Sequence, residues 1–182
     1  MARDRSDDLI TRVGEESDVE IQLEATISGE IRINAAPATI FALLTNAQQM
    51  VTWLARDVNA DPRPGGIFRV ADFSGLWVEG AYLEVIPHRL VVLSWGGIEG
   101  LKRGQSTVEF SLQRDGNSTL VRLRHFGLSD WAADAHRLCW KNWGFPKLRA
   151  VAEGREPGLT CLSEVADSRE PHPYLARVAC KN

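Results

Sequence analysis

The chain holds few of the residues and runs that mark a dedicated chemistry. Its only cysteines, Cys139, Cys161 and Cys180, are odd in number and widely spaced with no CxxC pair, which excludes a disulfide framework and a zinc site built on thiolate pairs. A reducing cytoplasm is the setting this cysteine usage predicts. No apolar run approaches the roughly 20 residues that span a bilayer, and the N-terminal Met-Ala-Arg-Asp-Arg-Ser-Asp-Asp has no apolar stretch behind it, so neither membrane insertion nor export is expected. Basic residues are not in excess: 21 Lys and Arg stand against 24 Asp and Glu, a net charge of −3. With the positive residues dispersed among acidic ones, there is no footprint for a phosphate backbone, and nucleic-acid binding is not expected. The paired glycines Gly65-Gly66 and Gly96-Gly97 open no long helix and carry no Lys-Ser/Thr sequel, which excludes a phosphate loop. No nucleophile with a partner base, no metal set and no cofactor loop is visible.

What is present is a foldable core. The 182 residues are 44% hydrophobic, enough for one domain that buries a sizeable interior and leaves a cavity in it, but not for two. Residues 1–18 mix Arg, Asp, Glu and Ser without sustained periodicity and are expected to be a mobile arm. From Ile21 the pattern changes: Ile21, Leu23, Ala25, Ile27, Gly29, Ile31 and Ile33 alternate with polar residues, the signature of a long strand with one buried face, bent at Gly29. Pro37 suits the first position of a helix carrying Ile40, Phe41 and Leu44 inward. Asn46 can cap a second short helix through Met50, Trp53 and Leu54.

After the turn cluster Asp61-Pro62-Arg63-Pro64-Gly65-Gly66, five strands are expected: Ile67 to Phe73, Trp77 to Ile86, Leu90 to Trp95, Thr107 to Arg114 and Thr119 to Phe126. Asp115-Gly116-Asn117 is a short-hairpin signal. In the last two strands Val108, Phe110 and Leu112, then Val121, Leu123 and His125, share the covered parity. The two strands with Trp77, Tyr82, Val91 and Trp95 are apolar on both parities, so their inward residues stay open. Ser129 to Glu153 then forms the one long amphipathic run. Asp130, Asp134, Arg137 and Lys141 fall on its wet side; Ala132, Ala135, His136, Cys139 and Trp143 fall on the covered side, with Trp140 on the flank. Ser129 is a suitable N-cap and Gly154 a suitable stop. Pro146 removes one helical hydrogen bond and is expected to kink the helix. Residues 155–182 form a C-terminal extension, with a short helix or strand expected near Tyr174 to Cys180.

Strand, two short helices, five antiparallel strands and a long helix make an α+β fold. A twisted sheet of this size curls around a helix laid across its concave face and leaves space between them. This order, with Ile33-Asn34-Ala35-Ala36-Pro37, Trp53, Asp61-Pro62-Arg63-Pro64-Gly65-Gly66-Ile67-Phe68-Arg69, Gly80 to Val91 and Ser94-Trp95, resembles the START-like (SRPBCC) superfamily. Within it, the chain is similar to bacterial single-domain proteins related to the C-terminal domain of the activator of Hsp90 ATPase. The resemblance covers about Ile21 to Ala152. It implies a helix-grip fold of six to seven curved antiparallel strands over residues 19–154, with an internal apolar cavity. It implies no particular reaction, because members bind lipids, sterols, hormones or polyketides and a minority catalyse. The Gly-Trp pair usual in the last helix of this branch is Cys139-Trp140 here.

Six tryptophans, at 53, 77, 95, 131, 140 and 143, can build the core, line a ligand site, or do both. His125 and His136 are the sharper feature, since both are expected at one end of the cavity. Each is either a satisfied core histidine, a polar contact for a ligand, or a weak candidate for general acid/base catalysis. Asp72, Glu79 and Glu84 are carboxylates that could point inward; Arg69, Arg122 and Arg124 are expected on the solvent side beside partner charges. The leading expectation is a binding protein that takes a small lipophilic or aromatic molecule, lined by Trp53, Phe68, Phe110, His125, His136 and Trp143, with no catalytic residue, metal or cofactor. The alternatives are a polyketide cyclase or dehydratase using a cavity histidine, and a co-chaperone-like interaction domain. A monomer, or a homodimer through an exposed strand edge, fits each.

Overall fold

The computed structural model describes residues 25–71, 76–98 and 100–157. The expected arm, the residues Ile21 and Leu23, Asp72 and the region near Tyr174 to Cys180 lie outside them. Seven strands form one antiparallel sheet: β1 (Ala25–Ile33), β2 (Asp57–Ala60), β3 (Ile67–Ala71), β4 (Trp77–Ile86), β5 (Leu90–Trp95), β6 (Ser106–Asp115) and β7 (Ser118–Leu128), in the order β1-β7-β6-β5-β4-β3-β2. The helices α1 (Pro37–Thr45) and α2 (Ala47–Met50) follow β1, and α3 (Asp130–Cys139) and α4 (Phe145–Ala152) follow β7. This is the α+β helix-grip arrangement, with first and last strands side by side. Among the described residues no helix is long and apolar enough to cross a membrane.

The alternation in β1, β6 and β7 decides which side chains meet the helices. Ile27 and Ile33, Val108, Phe110 and Leu112, and Val121, Leu123 and His125 are all buried, while Arg122 and Arg124 face out and pair with Glu30 and Glu109 at 3.3 and 3.9 Å. The hairpin is as tight as its sequence requires, with Asp115 directly opposite Ser118. The double parity of the middle strands has a geometric cause. Between Tyr82 and Glu84 the β4–β5 register shifts, Tyr82 facing Leu93 and Glu84 facing Val92. An extra residue in one strand reverses its inward parity from there on. Val78 and Tyr82 are therefore buried before the shift, and on β5 the inward set is Val91, Leu93 and Trp95.

Three features differ from the sequence expectation, the first being that α2 ends at Met50, short of Trp53 and Leu54. β2 was not expected; its four residues, Asp57 to Ala60, carry too little apolar alternation to announce an edge strand. The ladder also runs without interruption through Gly29, and its irregularity falls between Ala25 and Ile27. Gly29 serves a close approach instead: a Cβ there would lie 2.8 Å from Phe145 Cε2.

Short-range chemistry fixes the helices. Pro37 starts α1, and the Asn46 side chain accepts from the Gln49 N–H at 3.2 Å to start α2. Asn46→Ala is expected to remove about 1 kcal/mol of stability, a fall of roughly 2 to 4 °C in Tm by scanning calorimetry. An unchanged Tm would show that α2 needs no cap. The Trp53 indole then donates to the Leu43 carbonyl at 2.9 Å, and the Tyr82 hydroxyl to the Leu44 carbonyl at 3.2 Å, which tie both short helices to the core.

The Ser129 hydroxyl accepts from the Ala132 N–H at the start of α3. The long helix is interrupted, but by a π turn over Trp140–Gly144 ahead of Pro146. The Phe145 N–H reaches the Trp140 carbonyl, five residues back. Pro146 has no N–H to give to Asn142 and its ring would press on that carbonyl, so widening the turn removes the conflict. The Glu153 carboxylate finally accepts from the Asn34 N–H at 2.9 Å, pinning the end of α4 to the end of β1. That bond and the Arg155 guanidinium hold the Glu153 carboxyl below its usual range.

Candidate functional site

At one end of the concave face the sheet and α3 bring together a set of aromatic and polar side chains. Trp95 ends β5, Ser106 opens β6 directly opposite it, His125 lies on β7 opposite Val108, and His136 lies on α3. Trp140, the first residue of the π turn, packs across them. Its ring is 5.7 Å from Trp95 and 5.6 Å from Phe110, and Trp95 in turn lies 5.7 Å from Phe68. The two imidazoles meet edge to face, 4.7 Å apart at 90°.

Hydrogen bonding assigns the protons. The Trp140 indole can only donate, and it points at His125 Nδ1 at 3.2 Å, so Nδ1 carries a lone pair and Nε2 the proton. His125 Nε2 then donates to the Ser106 hydroxyl at 2.9 Å, which donates to the Trp95 carbonyl at 2.9 Å. This relay is closed. On His136, Nδ1 lies 2.8 Å from the Ala132 carbonyl oxygen, so Nδ1 is protonated. Burial, with the neighbouring His136 second, pushes the His125 pKa down to about 3. Burial also lowers His136, against the opposing pull of the Ala132 carbonyl. Both rings are neutral at pH 7.

That electrostatic state bears on chemistry. A ring that protonates only near pH 3 is a poor general base at neutral pH, and both nitrogens of His125 are already engaged. Of the two histidines, only His136 offers an unoccupied nitrogen. The strand carboxylates are no better placed: Glu79 sits between Arg69 at 3.1 Å and Arg103 at 2.7 Å, and Glu84 is exposed. Among the described residues no three His, Cys, Asp or Glu side chains converge to hold a metal ion.

Of the residues expected to line a ligand site, Phe68, Phe110, His125 and His136 come together around Trp95 and Trp140. Trp53 is buried at the junction of α1 and α2, bonded to Leu43, and is not among the rings of this cluster. Trp143 is half-buried, with Lys147 Nζ 5.9 Å from its ring. A π turn winds fewer degrees per residue than an α turn, so residues after Trp140 fall behind the α-helical phase and Trp143 leaves the covered side. Trp140, on the flank of an ideal helix, takes the central place. Ser106 lies in phase with Val108, Phe110 and Leu112 on the covered parity, but as a small polar residue it carries no apolar signal that would mark it as inward.

A groove of about 580 Å³ opens between β1 and the α3–α4 segment. Ile27, Ile31, Leu123, Trp140 and Phe145 give it an apolar floor, and Arg137, Lys141 and Arg149 stand at its rim. Its volume lies within the roughly 300 to 1,000 Å³ of small-molecule sites. Trp140 thus borders both the groove and the buried cluster, and Gly29 lets Phe145 close one side.

Comparison with known proteins gives a consistent picture. The family model described as "Activator of Hsp90 ATPase homolog 1-like protein" matches residues 34–153. No curated protein sequence matches the chain. Among solved structures, the chain is similar to the AHSA1-like protein of Rhizobium etli, at 29% identity and a TM-score of 0.61, over 82% of this chain and 91% of that one. It is similar in fold to CalU16 of Micromonospora echinospora, at 22% identity and a TM-score of 0.61, over 84% and 80% of the two chains. The Aha1 dimer of Colwellia psychrerythraea has the same fold, at 22% identity and a TM-score of 0.61, over 71% and 96%.

Proposed function

The chain belongs to the activator of Hsp90 ATPase homolog 1-like family, and within that family's fold we propose that it binds a small lipophilic or aromatic molecule between the concave face of the sheet and the C-terminal helices. The observation that carries this reading is the groove of about 580 Å³ floored by Ile27, Ile31, Leu123, Trp140 and Phe145. Apolar walls with a few polar groups at the rim and behind them are how such sites are built. Behind Trp140, outside the groove's own lining, Phe68, Phe110, His125 and His136 make up an inner wall that a ligand would meet only past that indole. The reading of the site as a cyclase or dehydratase stands lower, because its histidines are neutral and one is fully engaged.

The test is thermal unfolding of the protein against fatty acids, sterols, flavonoids and polyketide-like aromatics. A ligand present at about a hundred times its Kd stabilises by roughly 2.7 kcal/mol, a rise of several degrees in Tm. Two space-filling variants then locate it. Ile31 is half-buried in the groove, so Ile31→Trp is expected to abolish the shift while the free protein's Tm changes little. Phe110→Trp, which adds bulk behind Trp140, is expected to do the same only if the ligand reaches the inner wall. If no ligand class raises the Tm, a protein partner for this family's fold becomes the better reading.

A further inference from the structure

Two polar atoms in the aromatic cluster have no hydrogen-bond partner among the described residues, and their polarities are opposite. They are Trp95 Nε1 and His136 Nε2. Trp95 is 7% exposed and His136 4%, so bulk water does not serve either. An unmet polar group at that depth is costly, and in native proteins it calls for an explanation. The indole nitrogen can only donate. The Ala132 carbonyl fixes the His136 proton on Nδ1, so Nε2 presents a bare lone pair. The two rings stand 6.5 Å apart at 77°.

A single group that accepts from one and donates to the other completes both. A ketone, ether or carboxylate answers the indole alone. An ammonium answers the imidazole alone and brings a charge to walls that, among the described residues, hold no carboxylate partner. A hydroxyl does both, and the rings of Phe68 and Trp140 against Trp95, with Phe110 behind Trp140, favour an aromatic carrier. We infer that the ligand is a neutral hydroxylated aromatic, of the phenol or naphthol class, whose hydroxyl accepts from Trp95 Nε1–H and donates to His136 Nε2. This rests on the proposed ligand site and names its substrate class. The aromatic body lies along Trp140 with the hydroxyl inward, and His125, closed through Ser106 and Trp140, holds the wall in place without touching the ligand.

The experiment compares three probes of nearly one shape, 2-naphthol, 2-methoxynaphthalene and naphthalene, by titration calorimetry, with the indole N–H resonance of Trp95 followed by 15N NMR. The naphthol is expected to bind roughly ten- to hundredfold tighter than either analogue, because each analogue leaves a buried group unpaired. The naphthol and, where it binds, its ether are expected to move the Trp95 indole resonance downfield, and naphthalene is not. In His136→Phe the preference for naphthol over its ether is expected to collapse to near unity, whereas in Trp95→Phe that preference persists and the preference for the ether over naphthalene is lost. Naphthalene binding as tightly as naphthol, or a Trp95 resonance that naphthol leaves in place, overturns the hydroxyl assignment and leaves the ligand site standing. Failure of all three probes to bind removes the site on which the assignment rests. The wild-type NMR readout decides the matter even where a variant does not fold.

Discussion

Moving from about pH 7.5 to about pH 4.5 is expected to remove about 2.7 kcal/mol of folding stability through His125 alone. In the unfolded chain this ring has its ordinary pKa of 6.5; in the folded protein burial holds it down to about 3. Between those values the unfolded state binds a proton that the native state refuses, so acid favours unfolding. The stabilisation is complete above about pH 6.5 and is lost progressively as the pH falls toward about 3. His136, lowered by burial, adds in the same direction. The relay explains why the native state resists. A proton on His125 Nδ1 would face the Trp140 indole N–H at 3.2 Å, donor against donor. Among the described residues no carboxylate is bonded to either ring to compensate.

Urea denaturation across this range measures the effect. His125→Asn keeps an acceptor for the Trp140 indole and removes the titrating ring. Its stability is expected to fall less steeply with acid, by close to one proton's worth between about pH 6 and pH 4.5. An equal slope in the variant and the parent would mean that the folded protein accommodates the charged ring and that the relay is drawn wrongly.

Gly144→Ala is the second large expected effect, a loss of about 3 kcal/mol. A Cβ at residue 144 would lie 2.4 Å from Trp140 Cε3. The contact is with a rigid fused ring, already held by Trp95, Phe110 and the His125 bond. The ring cannot flex aside; it must turn, and turning leaves the indole N–H and His125 Nδ1 buried without each other. The π turn makes this glycine necessary, because it brings residue 144 against the indole four positions earlier. The exposed neighbour Asn142→Ala serves as the control, expected to stay within about 0.5 kcal/mol of the parent. Chemical denaturation with tryptophan fluorescence reports both the stability and the indole's surroundings. Equal stability of the two variants would place the Trp140 ring elsewhere.

Much of the frame was legible before any coordinates. Ile27, Ile31 and Ile33 in β1, and Val121, Leu123 and His125 in β7, follow a period that only a half-buried strand satisfies. Pro37, Asn46 and Ser129 mark helix starts by chemistry confined to a few neighbouring residues. What was not legible depends on register or on helical phase. The bulge between Tyr82 and Glu84 hides the inward parity of β4, since the pattern changes side partway along one strand. The π turn carries Trp143 off the covered side and leaves the central place to Trp140, a change that no periodicity with one fixed angle can foresee. Ser106 and the unmet Trp95 and His136 nitrogens appear only when three separate elements meet. The frame is written in local repeats; the site arises where those repeats break.

The neighbourhood of β1 and β7 also sets an order of events. The Thr119 hydroxyl bonds to the Ala35 carbonyl across 84 residues of chain, and the groove takes its walls from β1 and from α3 to α4. Among the described strands β1 pairs only with β7, so a growing polypeptide emerges with β1 unpaired until nearly the whole domain has been synthesised. Pairing at such sequence separation must pay loop-closure entropy before any contact rewards it, which places folding in the slow, millisecond-to-second range of sheet-rich domains. The groove accordingly forms only after both ends of the described domain have been made.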